Sequence, residues 1–273
     1  MLRLAAFRVA LILLVLPSSG KAQEVVWASS APPMLAPGDE TMDSGQIDFL
    51  IRHLPQFTHR ISRVSAARSL YDLQHGEEIC SVGIIVTPER ESFALFSRRR
   101  MALPSFRVMV NRDRLPAWQA TLTPKGEVDL DKVSGAMVGA FTNSRHYDPT
   151  IADFIQRRGG QGMESMVATF QLFNLLQANR IDFAFVMPPD LYFYGAKIDR
   201  RKLVLLPVKA VPPTSDAGIA CANDETGRKV IEAIDALLAD ESRWTEYVEP
   251  YRNWVPPEDY ARLLGRSNMN GVP

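Results

Sequence analysis

Two cysteines, four histidines and no surplus of either charge are the first things to note in this chain. Two cysteines in 273 residues are too few for a disulfide-dense scaffold. His53, His59, His75 and His146 show no H-E-x-x-H or other paired-ligand spacing, so neither a zinc site nor any cofactor is expected. With 31 Lys+Arg against 31 Asp+Glu there is no basic excess to displace counterions from a phosphate backbone, which argues against a nucleic-acid partner. There is no G-x-S-x-G elbow, no Walker loop and no fixed-period repeat. The one glycine cluster, Gly159-Gly160-Gln161-Gly162, follows a helix and reads as a turn rather than a phosphate cradle. Long apolar runs are missing too: the unbroken stretch Val9 to Leu16 falls far short of the ~20 residues that span a bilayer.

What is present first is an export pattern. Arg3 and Arg8 precede that apolar stretch, Pro17 ends it, and Gly20 and Ala22 stand at −3 and −1 of a cut before Gln23. Residues 1–22 therefore read as a cleavable signal peptide, and no cysteine follows to carry a lipid. A soluble, unanchored protein of a Gram-negative periplasm is expected. Without Arg3, Arg8 and Lys21 it keeps 28 basic and 31 acidic residues in 251, a net charge of about −3. A hydrophobic share of 46% supplies ample core, and this length suits one large domain or two lobes.

Along the mature chain strands and helices alternate. Glu24 to Ala28 reads as a buried strand, followed by a Pro-rich loop and a helix capped by Ser44 with Ile47, Leu50, Ile51 and Leu54 on one face. Arg60 to Val64 and Cys80 to Val86 read as strands around a helix from Ala67 to His75, and Phe106 to Val110 as a fourth strand. The rhythm then restarts. A strand at Ala136 to Phe141, a helix opened by Asp148-Pro149, and strands at Ser165 to Ala168, Asp182 to Met187 and Leu203 to Val208 make a second unit. Beyond Val211-Pro212-Pro213 come a strand at Gly218 to Ala222, a helix with Val230, Ile231, Ile234, Leu237 and Leu238 on one face, and an aromatic tail through Trp254. Alternation of this kind predicts α/β units with parallel sheets, arranged as two lobes.

Thr87-Pro88-Glu89-Arg90, followed by Phe93 to Ser97, resembles the T-x-x-R…FS stretch of family 3 extracellular solute-binding proteins. Val138-Gly139-Ala140-Phe141-Thr142-Asn143-Ser144-Arg145 is similar to the family's V-G-V-x-x-G-[ST]-[ST] turn, and Asn179-Arg180-Ile181-Asp182-Phe183-Ala184 to its G-R-x-D-A segment. Ala217 to Cys221 resembles the return to the first lobe. These matches run in order over 24–255. They imply an α/β, two-lobed type II periplasmic binding protein-like fold with two hinge crossovers, near 111–116 and 209–216. Lobe 1 would comprise 23–112 plus 214–273, and lobe 2 would comprise 113–213. The topology sets the return strand antiparallel beside the third strand. Cys80 and Cys221 would then face each other as a disulfide, two buried free thiols being the alternative.

The resemblance implies that Arg90 clamps a ligand carboxylate with its planar fork of donors, helped by the Thr87 hydroxyl. A surface ion pair with Glu89 or Glu91 is the competing reading of Arg90. Ser144 matches a hydroxyl position of the opposite lobe. Asn143 replaces a glycine there, and Arg145, which replaces a hydroxyl, either adds a second positive group to the site or is a solvated loop arginine. Trp27 could wall the ligand, although aromatics at strand spacing commonly belong to the core. Val186 stands where amino-acid-binding members carry an acid, and Asp190 reads as a helix cap, so the ligand is amino acid-like but not a standard α-amino acid. Arg98-Arg99-Arg100 is a solvated face or lines the cleft mouth.

The function these readings predict is capture of a small polar, carboxylated ligand between the lobes, by a monomer, for an inner-membrane permease (an ABC transporter) or a sensor. No bond would be broken. The alternatives are an enzyme on the same fold, like cyclohexadienyl dehydratase, needing Glu89, Asp182, Asp190 or His146 as its acid, and an orphan sensory or regulatory domain.

Overall fold

A computed structural model describes residues 23–29, 42–142, 147–160, 162–166, 168–194, 199–255 and 257–264. The expected signal peptide and the site positions Asn143, Ser144, Arg145 and His146 lie outside the described residues.

The first unit comprises β1 (Glu24–Ser29), α1 (Met42–His53), β2 (Thr58–Arg63), α2 (Ala66–Gln74), β3 (Ile79–Ile85), α3 (Pro88–Glu91), β4 (Ala94–Phe96) and β5 (Met101–Pro104). The second comprises β6 (Arg107–Asn111), α4 (Leu115–Trp118), β7 (Gly139–Thr142), α5 (Pro149–Arg158), β8 (Met163–Met166), α6 (Thr169–Gln177), β9 (Phe183–Val186), α7 (Pro188–Phe193) and β10 (Leu203–Leu206). The chain then returns with β11 (Thr214–Ala222), α8 (Glu225–Leu238), α9 (Glu241–Val248) and α10 (Pro257–Leu263).

Two sheets result, one per lobe, in the orders β2-β1-β3-β11-β4, with β5 also on β11, and β10-β6-β9-β7-β8. Neither is purely parallel. The β1–β2, β1–β3, β7–β8 and β7–β9 pairs are parallel, whereas β11 runs antiparallel to β3, β4 and β5, and β6 antiparallel to β9 and β10. The expectation of parallel sheets fails at β6, whereas β11 runs antiparallel beside β3 as the resemblance implies. Each enters its sheet from the neighbouring lobe, not through a right-handed helical crossover.

The first crossover also moves. Arg107–Asn111, placed in lobe 1 by the sequence reading, pairs throughout with Leu203–Leu206 and Phe183–Val186, so the chain changes sheet at Ser105-Phe106 and not near 111–116. The return leaves β10 after Leu206 and enters β11 at Thr214. The two crossovers touch, with Ser105 N–H donating to Pro213 O at 3.0 Å and the hydroxyls of Ser105 and Ser215 3.0 Å apart.

Local chemistry explains the element ends. Ser65 accepts from Arg68 N–H to start α2, Asp148 from Thr150 N–H to start α5, and Asp224 from Gly227 N–H to start α8. After α6, Asn179 takes φ 52°, the left-handed conformation in which the resembling motif carries glycine, and Arg180 N–H reaches back to Leu175 O at 2.9 Å. Among the described residues no helix is long and apolar enough to cross a membrane.

Candidate functional site

Ligands of open α/β sheets bind in the crevice beyond the carboxyl ends of the parallel strands. In lobe 1 those ends are Ser29 and Ile85, and the chain leaving Ile85 forms the Thr87–Arg90 motif. The direction of that exit is set a few residues earlier. Between β3 and β11 the register passes from Ile84↔Gly218 to Ser81↔Ala220, so β3 carries one residue too many, and Gly83 takes φ 67° to absorb it. A bulge of this kind bends a strand and redirects the chain beyond it.

α3 is only four residues long, too short to persist by itself, and its caps hold it. Thr87 Oγ1 accepts Arg90 N–H at 3.2 Å, Pro88 occupies the first turn, and Thr87 O accepts Glu91 N–H at 2.9 Å. The Arg90 side chain folds back beneath this turn and donates from Nη1 to Ile85 O at 2.7 Å. It is only 6% exposed. Burial lowers its pKa against a smaller opposing pull from Glu89.

Arg90 makes no ion pair among the described residues. The surface pair that competes with the clamp reading does not form: Glu91 turns to Arg100 at 2.8 Å, and Glu89 lies exposed without reaching the guanidinium. What results is a sequestered planar cation that, among the described residues, donates from its guanidinium to one backbone carbonyl. A bidentate carboxylate is the partner whose geometry fits the rest of its fork.

The neighbouring motif residues are scaffold. Ser97 is fully buried; its Oγ accepts Ile219 N–H at 3.1 Å and donates to Arg99 O at 3.0 Å, joining the β4–β5 turn to β11. Arg98 pairs with Asp235, and Arg99 donates to Leu238 O, pairs with Glu241 and lies 4.7 Å over the Trp244 ring. The arginine run thus ties the β4–β5 turn to α8 and α9; only Arg100, through Glu91, reaches toward the motif. Sequence reading missed this role because its partners lie more than 130 residues away.

Trp27 needs correction. It is 0% exposed and donates its indole N–H to His59 Nδ1 at 3.1 Å, packed in the lobe 1 core with Ile47, Leu50 and Leu54, so it forms no wall of a cleft. At the far end of the β3–β11 ladder Cys80 and Cys221 stand directly opposite each other and are bridged, across 141 residues of sequence.

On lobe 2, Thr142 ends β7 buried, with its N–H donated to the Tyr147 hydroxyl at 2.9 Å, and the Tyr147 ring lies 4.4 Å from that of Phe106 in the first crossover. Of the residues considered as a catalytic acid, Asp182 and Asp190 are engaged in holding backbone. Asp182 accepts Val138 N–H at 2.9 Å, and Asp190 accepts Met187 N–H at 3.1 Å as the cap of α7. Val186 is fully buried. Among the described residues no three His, Cys, Asp or Glu side chains are placed to hold a metal ion.

No protein-family model matches this sequence, and no curated protein does. Solved structures do match. The substrate-binding protein of an amino acid ABC transporter superposes with a TM-score of 0.62 at 16% identity, over 85% of this chain and 98% of its own. An amino acid ABC transporter substrate-binding protein from Streptococcus pneumoniae, bound to L-arginine, gives 0.59 at 19% identity over 84% and 93%. A histidine kinase sensor domain similar to periplasmic binding proteins gives 0.61 at 16% over 86% and 98%. With two mixed sheets, paired crossovers and a returning antiparallel strand matched over nearly the whole length of those proteins, the chain has the type II periplasmic binding protein fold of the amino acid transporter substrate-binding proteins.

Proposed function

We propose that this protein is a solute-binding protein that captures a small carboxylated ligand between its lobes, with Arg90 as the carboxylate clamp and the Thr87 hydroxyl as an auxiliary donor. One observation carries the reading: a buried arginine at the carboxyl end of a central strand, held by a backbone carbonyl and paired with no carboxylate among the described residues. Burying an unpaired charge is costly, and a site that tolerates it gains when an anion arrives. Asn143, Ser144 and Arg145 are the proposed contributions of lobe 2. Asp182 and Asp190 are engaged and Val186 is buried, which supports a carboxylate lacking an α-ammonium group rather than a standard amino acid such as the L-arginine of the pneumococcal protein. Export to the periplasm and hand-over to a permease or a sensor complete the proposal. Hinge closure around the ligand is its mechanism, and no bond is broken.

The test is a thermal-shift screen of the mature chain against mono- and dicarboxylates. A ligand raises the melting temperature in proportion to RT ln(1+[L]/Kd). Arg90→Ala is expected to abolish the shift, and Arg90→Lys to weaken it strongly, since an ammonium cannot form the bidentate pair. A ligand whose shift survives Arg90→Ala removes the clamp. Turnover of that ligand would replace binding by catalysis.

A further inference from the structure

Two polypeptide crossovers join the lobes, yet the described structure contains a third connection that is not a crossover. Residues 249–255 and 257–264 start on lobe 1, where the turn Glu249–Asn253 packs on α1 and α10 packs on β5. Tyr251, Val255, Tyr260 and Leu263 are buried in the hydrophobic core, which is continuous from lobe 1 into lobe 2. The segment is braced within itself: the Tyr260 hydroxyl donates to Glu249 at 2.7 Å, and the Arg252 guanidinium lies 4.7 Å over the Tyr260 ring.

From this base it reaches lobe 2 twice. The Trp254 ring meets that of Phe193, at the end of α7, with centroids 4.8 Å apart. Asp259, 3% exposed, is held by Arg262 of its own helix at 2.7 Å and faces Arg107, the first residue of β6, at 4.0 Å. The two contacts differ in chemistry and in place. Arg107 adjoins the first crossover, so a hinge rotation displaces it little. Phe193 belongs to a helix between β9 and β10, well away from Ser105-Phe106 in the chain, and must move with lobe 2.

From these contacts we infer that residues 249–255 and 257–264 form an inter-lobe strap: the Asp259–Arg107 pair is its pivot, and the Trp254–Phe193 contact is a latch that favours one angle between the lobes. A latch acts only by stabilising one state over another, so its removal shifts or widens the distribution of angles in the unliganded protein. The inference does not depend on which ligand Arg90 holds.

The experiment measures the lobe-to-lobe distance in the ligand-free mature chain, with spin labels at Gln56→Cys and Gln177→Cys, both exposed, in the disulfide-intact protein. The parent is expected to give one narrow distance. Trp254→Ala and Phe193→Ala are each expected to shift or broaden it, and the double variant to add nothing, because both remove the same contact. Asp259→Asn is expected to broaden it further by freeing the pivot. Phe193→Leu, at a half-buried position, keeps the bulk but loses the ring contact; it gives the same reading if an alanine variant fails to fold. Distributions for Phe193→Leu and Trp254→Ala that superimpose on the parent's, in protein with native circular dichroism, overturn the latch.

Discussion

The two lobes share an architecture but are held by different means. Lobe 1 is pinned by specific bonds: the Cys80–Cys221 disulfide between β3 and β11, Ser97 tying the β4–β5 turn to β11, and Arg98 and Arg99 tethering that turn to α8 and α9. Lobe 2 is held by aromatic rings. Trp118, Phe154, Phe183 and Phe185 pack with centroids 5.5 to 6.2 Å apart, all but fully buried. The contrast follows from what each lobe presents. Arg90 sits on a four-residue helix too short to persist by its own propensity, and the sheet that carries it is fixed by directional bonds. In lobe 2, whose strand β9 carries no charge, dispersion and burial of the ring cluster add to backbone-holding bonds such as that of Asp182.

The contrast breaks most visibly where each lobe's own device is removed. Phe183→Ala empties the aromatic cluster and is expected to cost about 3–5 kcal/mol, lowering the stability of lobe 2. Replacing both cysteines by alanine releases a 141-residue loop and is expected to cost about 3–5 kcal/mol, this time from lobe 1. Denaturant unfolding followed separately by Trp27 and Trp118 fluorescence, in single-tryptophan backgrounds, assigns each loss to its lobe. Equal losses at both probes for both variants would show one cooperative unit and end the distinction.

Gly83→Ala tests a smaller element, the bulge that aims Arg90. A side chain at φ 67° costs about 1–2 kcal/mol, and a β-carbon added at Gly83 would lie 3.4 Å from the Tyr251 hydroxyl, an ordinary contact, so the cost is in the backbone. The expected result is that stability loss in calorimetry, together with weakened binding of whichever carboxylate Arg90 holds. Weakened stability with unchanged affinity would separate the bulge from the site.

How much of this was legible beforehand depended on how local each cause is. The Asp148 cap of α5 could be read because cap and helix are adjacent in sequence, although Ser44, expected to cap α1, lies inside that helix. β4 and β5 could not, being three and four residues long with an arginine run between them, too short for an alternation to show. Nor could the sheet to which β6 belongs, since Arg107–Asn111 has the same apolar pattern whichever lobe it pairs with, and its partners lie at 183–186 and 203–206. The motif singles out Arg90 as a candidate, but its burial is not legible, because Glu89 and Glu91 beside it make a surface pair the simplest reading. Trp27 shows the reverse: a strand aromatic fits a ligand wall or a core equally well, and only the α1 packing decides.

Neither lobe's device reaches the return crossover, and this gives the smallest expected effect. Val128 bridges Val208, Lys209 N–H donates to Val128 O at 2.9 Å, and Lys209 Nζ lies 2.9 Å from Asp129. The hydrogen bond from Lys209 holds the Asp129 carboxyl below its ordinary pKa. A carboxylate with a depressed folded pKa contributes stability that is complete above its unfolded value and is lost as pH falls through the folded one. Acidification from about pH 6 to about pH 3 is therefore expected to lower the denaturant midpoint of the parent more than that of Asp129→Asn. The difference is expected to be small and reduced by salt, because Lys209 is largely exposed and exposed pairs are screened. Identical acid sensitivity in the two proteins would mean that the backbone bonds of Val128 alone hold the crossover to lobe 2.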